Sequence, residues 1–117
     1  MDDATAVERY LDALGTQDWV ALAATIADEG LVRDGPFGDV VEGKAAYVAF
    51  LRDTLASLAG YRLEVRRVSH VDDRAFVELT ETVELDGDPT SYAECILFER
   101  DGDGLIRHVS VYLKRPG

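Results

Sequence analysis

Apolar positions recur at helical spacing in the first half of the chain and at alternating spacing in the second. Thr5-x-x-Glu8 reads as a capping box, and Val7, Leu11 and Leu14 follow on one face with Tyr10 beside them, up to a stop at Gly15. Asp18 is placed to cap a second helix carrying Trp19, Leu22, Ala23 and Ile26 and ending near Gly30. Leu31 to Asp34 has the length and polarity of a short strand. Gly35-Pro36-Phe37-Gly38 turns the chain into a second short strand at Val40 and Val41. A third helix is expected from about Lys44 to Ala59, burying Tyr47, Phe50 or Leu51, Leu55 and Leu58, with Gly60 as its stop.

From Tyr61 the period becomes two. Tyr61, Leu63 and Val65 alternate with Arg62, Glu64 and Arg66, and Arg66-Arg67-Val68 breaks the alternation as a bulge would. Strands are expected over Ala75 to Leu85, Thr90 to Glu99 and Leu105 to Lys114. The turns between them fall at Asp86-Gly87-Asp88-Pro89 and Asp101-Gly102-Asp103-Gly104. Helices followed by a meander of long strands predict one α+β domain over residues 1–117, with helices covering one face of an antiparallel sheet.

Composition narrows the function classes. A net charge of −11 without a basic run argues against nucleic acid and anionic lipid as partners. No stretch of about 18 apolar residues predicts a membrane span. The acidic start Met1-Asp2-Asp3 is unlike a secretory signal, so a cytoplasmic protein is expected. One cysteine (Cys95) and two histidines (His70, His108) leave no intrachain disulfide and little basis for a zinc site, so no metal is expected. Glycine-rich nucleotide loops and the GxSxG string are absent.

Pairing the strands about a Gly87-Asp88 tip sets Leu85 against Thr90, Val83 against Tyr92, Glu81 against Glu94, Leu79 against Ile96 and Val77 against Phe98. That face is apolar except for two carboxylates directly opposite each other. If buried, such a pair forces one carboxyl to keep its proton and becomes an acid/base device; if it lies at a watery opening, both are ordinary solvated carboxylates. Val109, Val111 and Leu113 are expected on the same covered face, with His108, Ser110 and Tyr112 on the other.

Several strings carry a family resemblance: Arg9-Tyr10, Ile26-Ala27-Asp28-Glu29, the segment from Val32 to Gly38, and Gly43 opening the third helix. Together with the Asp-Gly-x-Pro hairpin and the final strand, they resemble the nuclear-transport-factor-2-like (NTF2-like) superfamily over nearly the whole chain. Ketosteroid isomerase and the SnoaL-like polyketide cyclases are the nearest in pattern. The resemblance implies a cone, in which three N-terminal helices pack on a strongly curved sheet and the hollow end holds a ligand. It also implies a homodimer through the outer sheet face, here that of Thr80, Thr82, Cys95, His108, Ser110 and Tyr112. On the ketosteroid isomerase pattern Asp34 falls at the base and Tyr10 at the phenol donor. The second acid falls on Ile96, with Glu94 two residues away on the same strand face.

The expected activity is acid/base catalysis (isomerisation, cyclisation or hydration) without a cofactor, on a small apolar carbonyl or polycyclic molecule. A non-catalytic ligand-binding or dimerisation domain is the alternative. Asp34 would move the proton, Tyr10 would steady an oxyanion, and Glu94 coupled to Glu81 would be a further acid. Asp34 also suits a turn cap or a salt bridge to a neighbouring arginine, and Tyr10 a core aromatic bonded to a carbonyl. Trp19, Phe37, Tyr47, Phe50, Tyr92, Phe98, Val109 and Val111 are the candidate cavity lining, with ordinary core packing as the competing role. Arg33, Arg67 and Arg107 are either anchors for a ligand anion or solvated, ion-paired arginines.

Overall fold

The computed structural model describes residues 5–114, so the acidic Met1-Asp2-Asp3 start lies outside the described residues. Helix α1 spans Ala6–Thr16; Thr5 caps it, its Oγ1 accepting from Glu8 N at 3.4 Å. Gln17, in the left-handed region with φ 56°, closes it. Helix α2 spans Trp19–Ala23 and is shorter than the sequence pattern suggests. The backbone beyond it pairs elsewhere: Ile106 N donates to Thr25 O at 2.9 Å, and Ala27 N to Ile106 O at 2.8 Å. Those bonds take the groups that a longer helix would use.

Two short strands follow, β1 (Val32–Asp34) and β2 (Val40–Glu42), then α3 (Lys44–Ala56). Four long strands complete the chain: β3 (Arg62–Val71), β4 (Arg74–Leu85), β5 (Asp88–Arg100) and β6 (Ile106–Leu113). The curved, unclosed sheet runs in the order β2-β1-β6-β5-β4-β3. Its neighbours are antiparallel except β1 and β6, which run parallel, with Arg33 level with Val109 and Asp34 with Ser110. The sheet is therefore mostly, not wholly, antiparallel. The bulge anticipated near Arg66 is present as a register shift between Val65 and Arg67.

The β4–β5 hairpin corrects the expected register. Asp86 (φ 51°) and Gly87 (φ 83°) are both left-handed and form a two-residue turn, so Leu85 pairs with Asp88. Every later pair moves accordingly: Glu81 faces Tyr92 and Leu79 faces Glu94. The faces are unchanged because the shift is even, but Glu81 and Glu94 become diagonal neighbours. Diagonal side chains on one face remain within reach of each other.

One core cluster joins the helices to the covered sheet face. Val7, Tyr10, Leu22, Ile26, Tyr47, Val77 and Phe98 are each at most 2 % exposed. Each buried aliphatic or phenylalanine side chain contributes roughly 1.5–3 kcal/mol. Val109 joins them from β6, with Val111 half-buried beside it.

Candidate functional site

An apolar cavity of about 390 Å³ opens between the β1–β2 turn, the end of α3 and the covered face of β4–β6. That volume lies within the roughly 300–1,000 Å³ of small-molecule sites. Leu58, Val83, Leu85 and Leu113 supply its greasy wall, and Pro36 and Phe37 its rim. Tyr61, Glu81, Tyr92 and Glu94 bring polar atoms to it. Wider grooves beside α3 (about 760 Å³) and α1 (about 610 Å³) are lined mainly by short side chains and surface charges.

The alternation of β4 and β5 carries Glu81 and Glu94 to the covered face. Leu63 pairs with Glu81, so Tyr61, two residues earlier, shares that face. Its hydroxyl donates a very short hydrogen bond to Glu81 Oε2. Burial, reinforced by the charge and hydrogen bond of Glu81, pushes the Tyr61 phenol far above its usual range. Glu94 Oε2 is buried and has no hydrogen-bond partner among the described residues when both carboxyls are ionised. The Glu94 carboxyl faces that of Glu81 diagonally, and two carboxyls can share a hydrogen bond only when one carries a proton. Burial first, then that bond and the negative charge of Glu81, push Glu94 up from 4.5 to about 9; the positive charge of Arg33 works in the opposite direction. At neutral pH Glu94 keeps its proton.

Arg33 reaches inward because β1 lies parallel to β6, level with the buried Val109. Its guanidinium sits 4.8 Å from the Phe50 ring centroid and 2.6 Å from Asp39 Oδ2, and its side chain is 12 % exposed. Asp39 also accepts from Phe37 N at 3.3 Å, which ties the β1–β2 turn to Arg33.

Asp34 does not reach the cavity. It alternates to the other sheet face, where its Oδ2 lies 2.7 Å from His108 Nε2 with the Asp34 side chain 48 % exposed. Glu99 lies 3.2 Å from the other nitrogen of that imidazole. Asp34 thus pairs with a histidine across the sheet rather than lining the pocket or bridging to a neighbouring arginine. His108 is on the outer face, as the alternation indicated.

Tyr10 is buried beyond the cavity wall and shares a very short hydrogen bond with Tyr47. Their rings are nearly parallel, 6° apart, and Phe98 packs edge-on against Tyr10 at 5.1 Å. Desolvation raises both phenols, Tyr47 to about 12 and Tyr10 well above its usual value, and the charge of Glu81 adds to both. Tyr47 and Phe98 thus belong to the core, while Trp19, Phe50 and Val111 pack partly buried against it. Among the aromatic candidates, Phe37 and Tyr92 line the cavity. Tyr61 and the inward Arg33 complete the site. The period-two spacing of Tyr61 with Leu63 was the signal for the first; the second, read from the sequence as either an anion anchor or an ion-paired arginine, is ion-paired with Asp39.

This arrangement can hold a small apolar molecule, present one proton to it and receive one back. No curated protein matches the chain. Solved structures with the same fold include an LEH-like epoxide hydrolase of M. tuberculosis, 24 % identical with a TM-score of 0.79 over 93 % of this chain and 80 % of that one. A proposed polyketide cyclase of Xanthomonas campestris pv. campestris is also 24 % identical, TM-score 0.77, over 93 % and 87 %. TerC, co-crystallised with polyporic acid, is 19 % identical, TM-score 0.81, over 93 % and 88 %. At these identities the likeness concerns the fold. The model of the SnoaL-like domain matches residues 7–109, and the chain belongs to that family, on an NTF2-like fold shared with ketosteroid isomerase-like proteins and polyketide cyclases.

Proposed function

We propose that this protein is an acid/base catalyst acting on a small, neutral, largely apolar molecule with an oxygen acceptor, by isomerisation, cyclisation or hydration. Glu94 gives its proton to the substrate oxygen. Glu81, held by Tyr61, takes a proton from the substrate carbon or from an attacking water. The proton then returns from Glu81 to Glu94 across their shared bond, so the cycle closes without an outside acid. The observation that supports this reading is the placement of two carboxyls, Glu81 and Glu94, diagonally across one apolar cavity, with burial raising Glu94. Tuned carboxyls of this kind are a recurring acid/base device.

The charge balance also favours particular chemistry. A site that already resists new negative charge on Tyr61 suits transition states that lose electron density rather than free enolates. Relatives on the same fold include an LEH-like epoxide hydrolase, which places epoxides beside cyclic ketones in a substrate screen. The test is turnover of such a panel by the wild type and by Glu94→Gln, alongside a carboxyl-carbon NMR titration. Glu94 should titrate near pH 9. Loss of its proton or its replacement should lower kcat by roughly 10²–10⁴-fold. Full turnover by Glu94→Gln would remove Glu94 from the chemistry.

A further inference from the structure

We propose that the same cavity binds hydrophobic organic cations, an ammonium group carrying an aryl or alkyl body, beside the Glu81 and Glu94 carboxyls. The inference uses the carboxyl pair of the acid/base reading but requires no turnover, so the two can fail separately.

Charge is the first argument. Glu81 and Glu94 are diagonal neighbours on the covered face, and both line the cavity. Arg33, the cation acting on Glu94, is already ion-paired with Asp39 at 2.6 Å and lies over Phe50. Tyr61 has committed its hydroxyl to Glu81. Arg33 and Tyr61 are thus already engaged, and the residues lining the cavity include no lysine or arginine to balance the two carboxyls. Glu94 Oε2 is buried and has no hydrogen-bond partner among the described residues. Beside an apolar wall a second cation gains more from this pair than in bulk water.

The walls are the second argument. Phe37, Tyr61 and Tyr92 line the cavity around the carboxyls, and aromatic rings attract ammonium groups by roughly 0.5–2 kcal/mol each. Leu58, Val83 and Leu85 offer the remainder of the space to an uncharged body. At long range, the net charge of −11 concentrates cations and repels anions. An anionic ligand would meet the carboxyl pair with Arg33 already satisfied, and is disfavoured at every stage.

Proton displacement gives the proposal a distinctive readout. Below pH about 9 Glu94 is protonated. Entry of a permanent cation leaves both carboxyls ionised around it and sends the proton to the buffer. Benzyltrimethylammonium is the probe, because a quaternary ammonium has no proton of its own to lose. Calorimetric titration of the whole chain in phosphate and in Tris at pH 7.5 should give different heats, corresponding to about one proton released per cation bound. Affinity should rise about tenfold per pH unit from pH 6 to 8 and level off near 9. Neopentylbenzene, the neutral shape match, should bind at least about tenfold more weakly. Glu94→Gln should still bind the cation through Glu81, with equal heats in both buffers and a flat pH profile. Absence of saturable binding, buffer-independent heats in the wild type, or equal affinity for neopentylbenzene would each overturn the proposal. If Glu94→Gln does not fold, the wild-type buffer pair and pH slope decide alone. Failure of cation binding while Glu94 still titrates near pH 9 removes this inference and leaves the acid/base reading standing.

Discussion

Glu94→Gln should make the protein more stable, and by an amount set by pH. Glu94 is held protonated in the folded chain up to about pH 9, whereas in the unfolded chain it ionises near 4.5. Below pH 4.5 both states carry the proton and the residue has no pH-dependent effect. Between 4.5 and 9 the unfolded state gains by ionising and the folded state does not, so folding stability falls as pH rises. At pH 7 the gap is about 2.5 pH units, or about 3 kcal/mol at ~1.4 kcal/mol per unit. Water at the open side of the cavity screens part of this, leaving about 2 kcal/mol. Glutamine keeps the shape, cannot ionise, and still offers Glu81 an N–H donor. Urea denaturation of both proteins from pH 4 to 9 is the assay. The curves should coincide near pH 4 and separate steadily, with the variant melting roughly 5–12 °C higher at pH 7. A stability difference that does not change with pH, or a variant weaker than wild type above pH 6, would refute the account of a protonated Glu94. A stabilised but inactive variant is the outcome anticipated for a site that trades stability for function.

Other expectations follow from the same geometry. Tyr10→Phe or Tyr47→Phe each strand a buried hydroxyl and should cost about 1–3 kcal/mol, while the double variant should cost less than the sum in a denaturation cycle. Asp34→Asn, on the outer sheet face, should alter stability by no more than about 1 kcal/mol. It should also leave the NMR titration of Glu94 unchanged; a shift there would place Asp34 in the cavity's electrostatics after all. A Cβ on Gly35 would collide with the Asp39 carboxylate, so Gly35→Ala should push Asp39 off Arg33 and cost about 1–2 kcal/mol. Adding Asp39→Ala to Gly35→Ala should bring little further loss, measured by the same denaturation.

The long strands were legible in the sequence because both their faces announce themselves by alternation. Thus Val77, Leu79, Ile96 and Phe98 reach the core as expected. Register was less legible, since Asp86-Gly87 and Gly87-Asp88 are both plausible turn tips. The left-handed pair at Asp86 and Gly87 moves Glu94 from opposite Glu81 to opposite Leu79. Which way Asp34 and Arg33 point was not readable, because a three-residue strand has no period of its own. Its facing is fixed by β6, more than seventy residues later in the chain. The burial of Tyr10 followed from helical spacing, but its partner Tyr47 lies on another helix and left no local trace.

The parallel seam between β1 and β6 has a consequence for how the chain is made. Arg33 acquires its inward direction from Val109, and the stretch after α2 is held by Ile106. During synthesis the first third of the protein therefore emerges without the strand that positions it. The β3–β5 meander can zip up from its own neighbours, but the rim of the cavity has to wait. Until residues 106–113 clear the ribosome, the nascent protein exposes one unpaired edge of β5 and has no oriented Arg33. Damage late in the chain should thus be felt first at the β1–β2 turn.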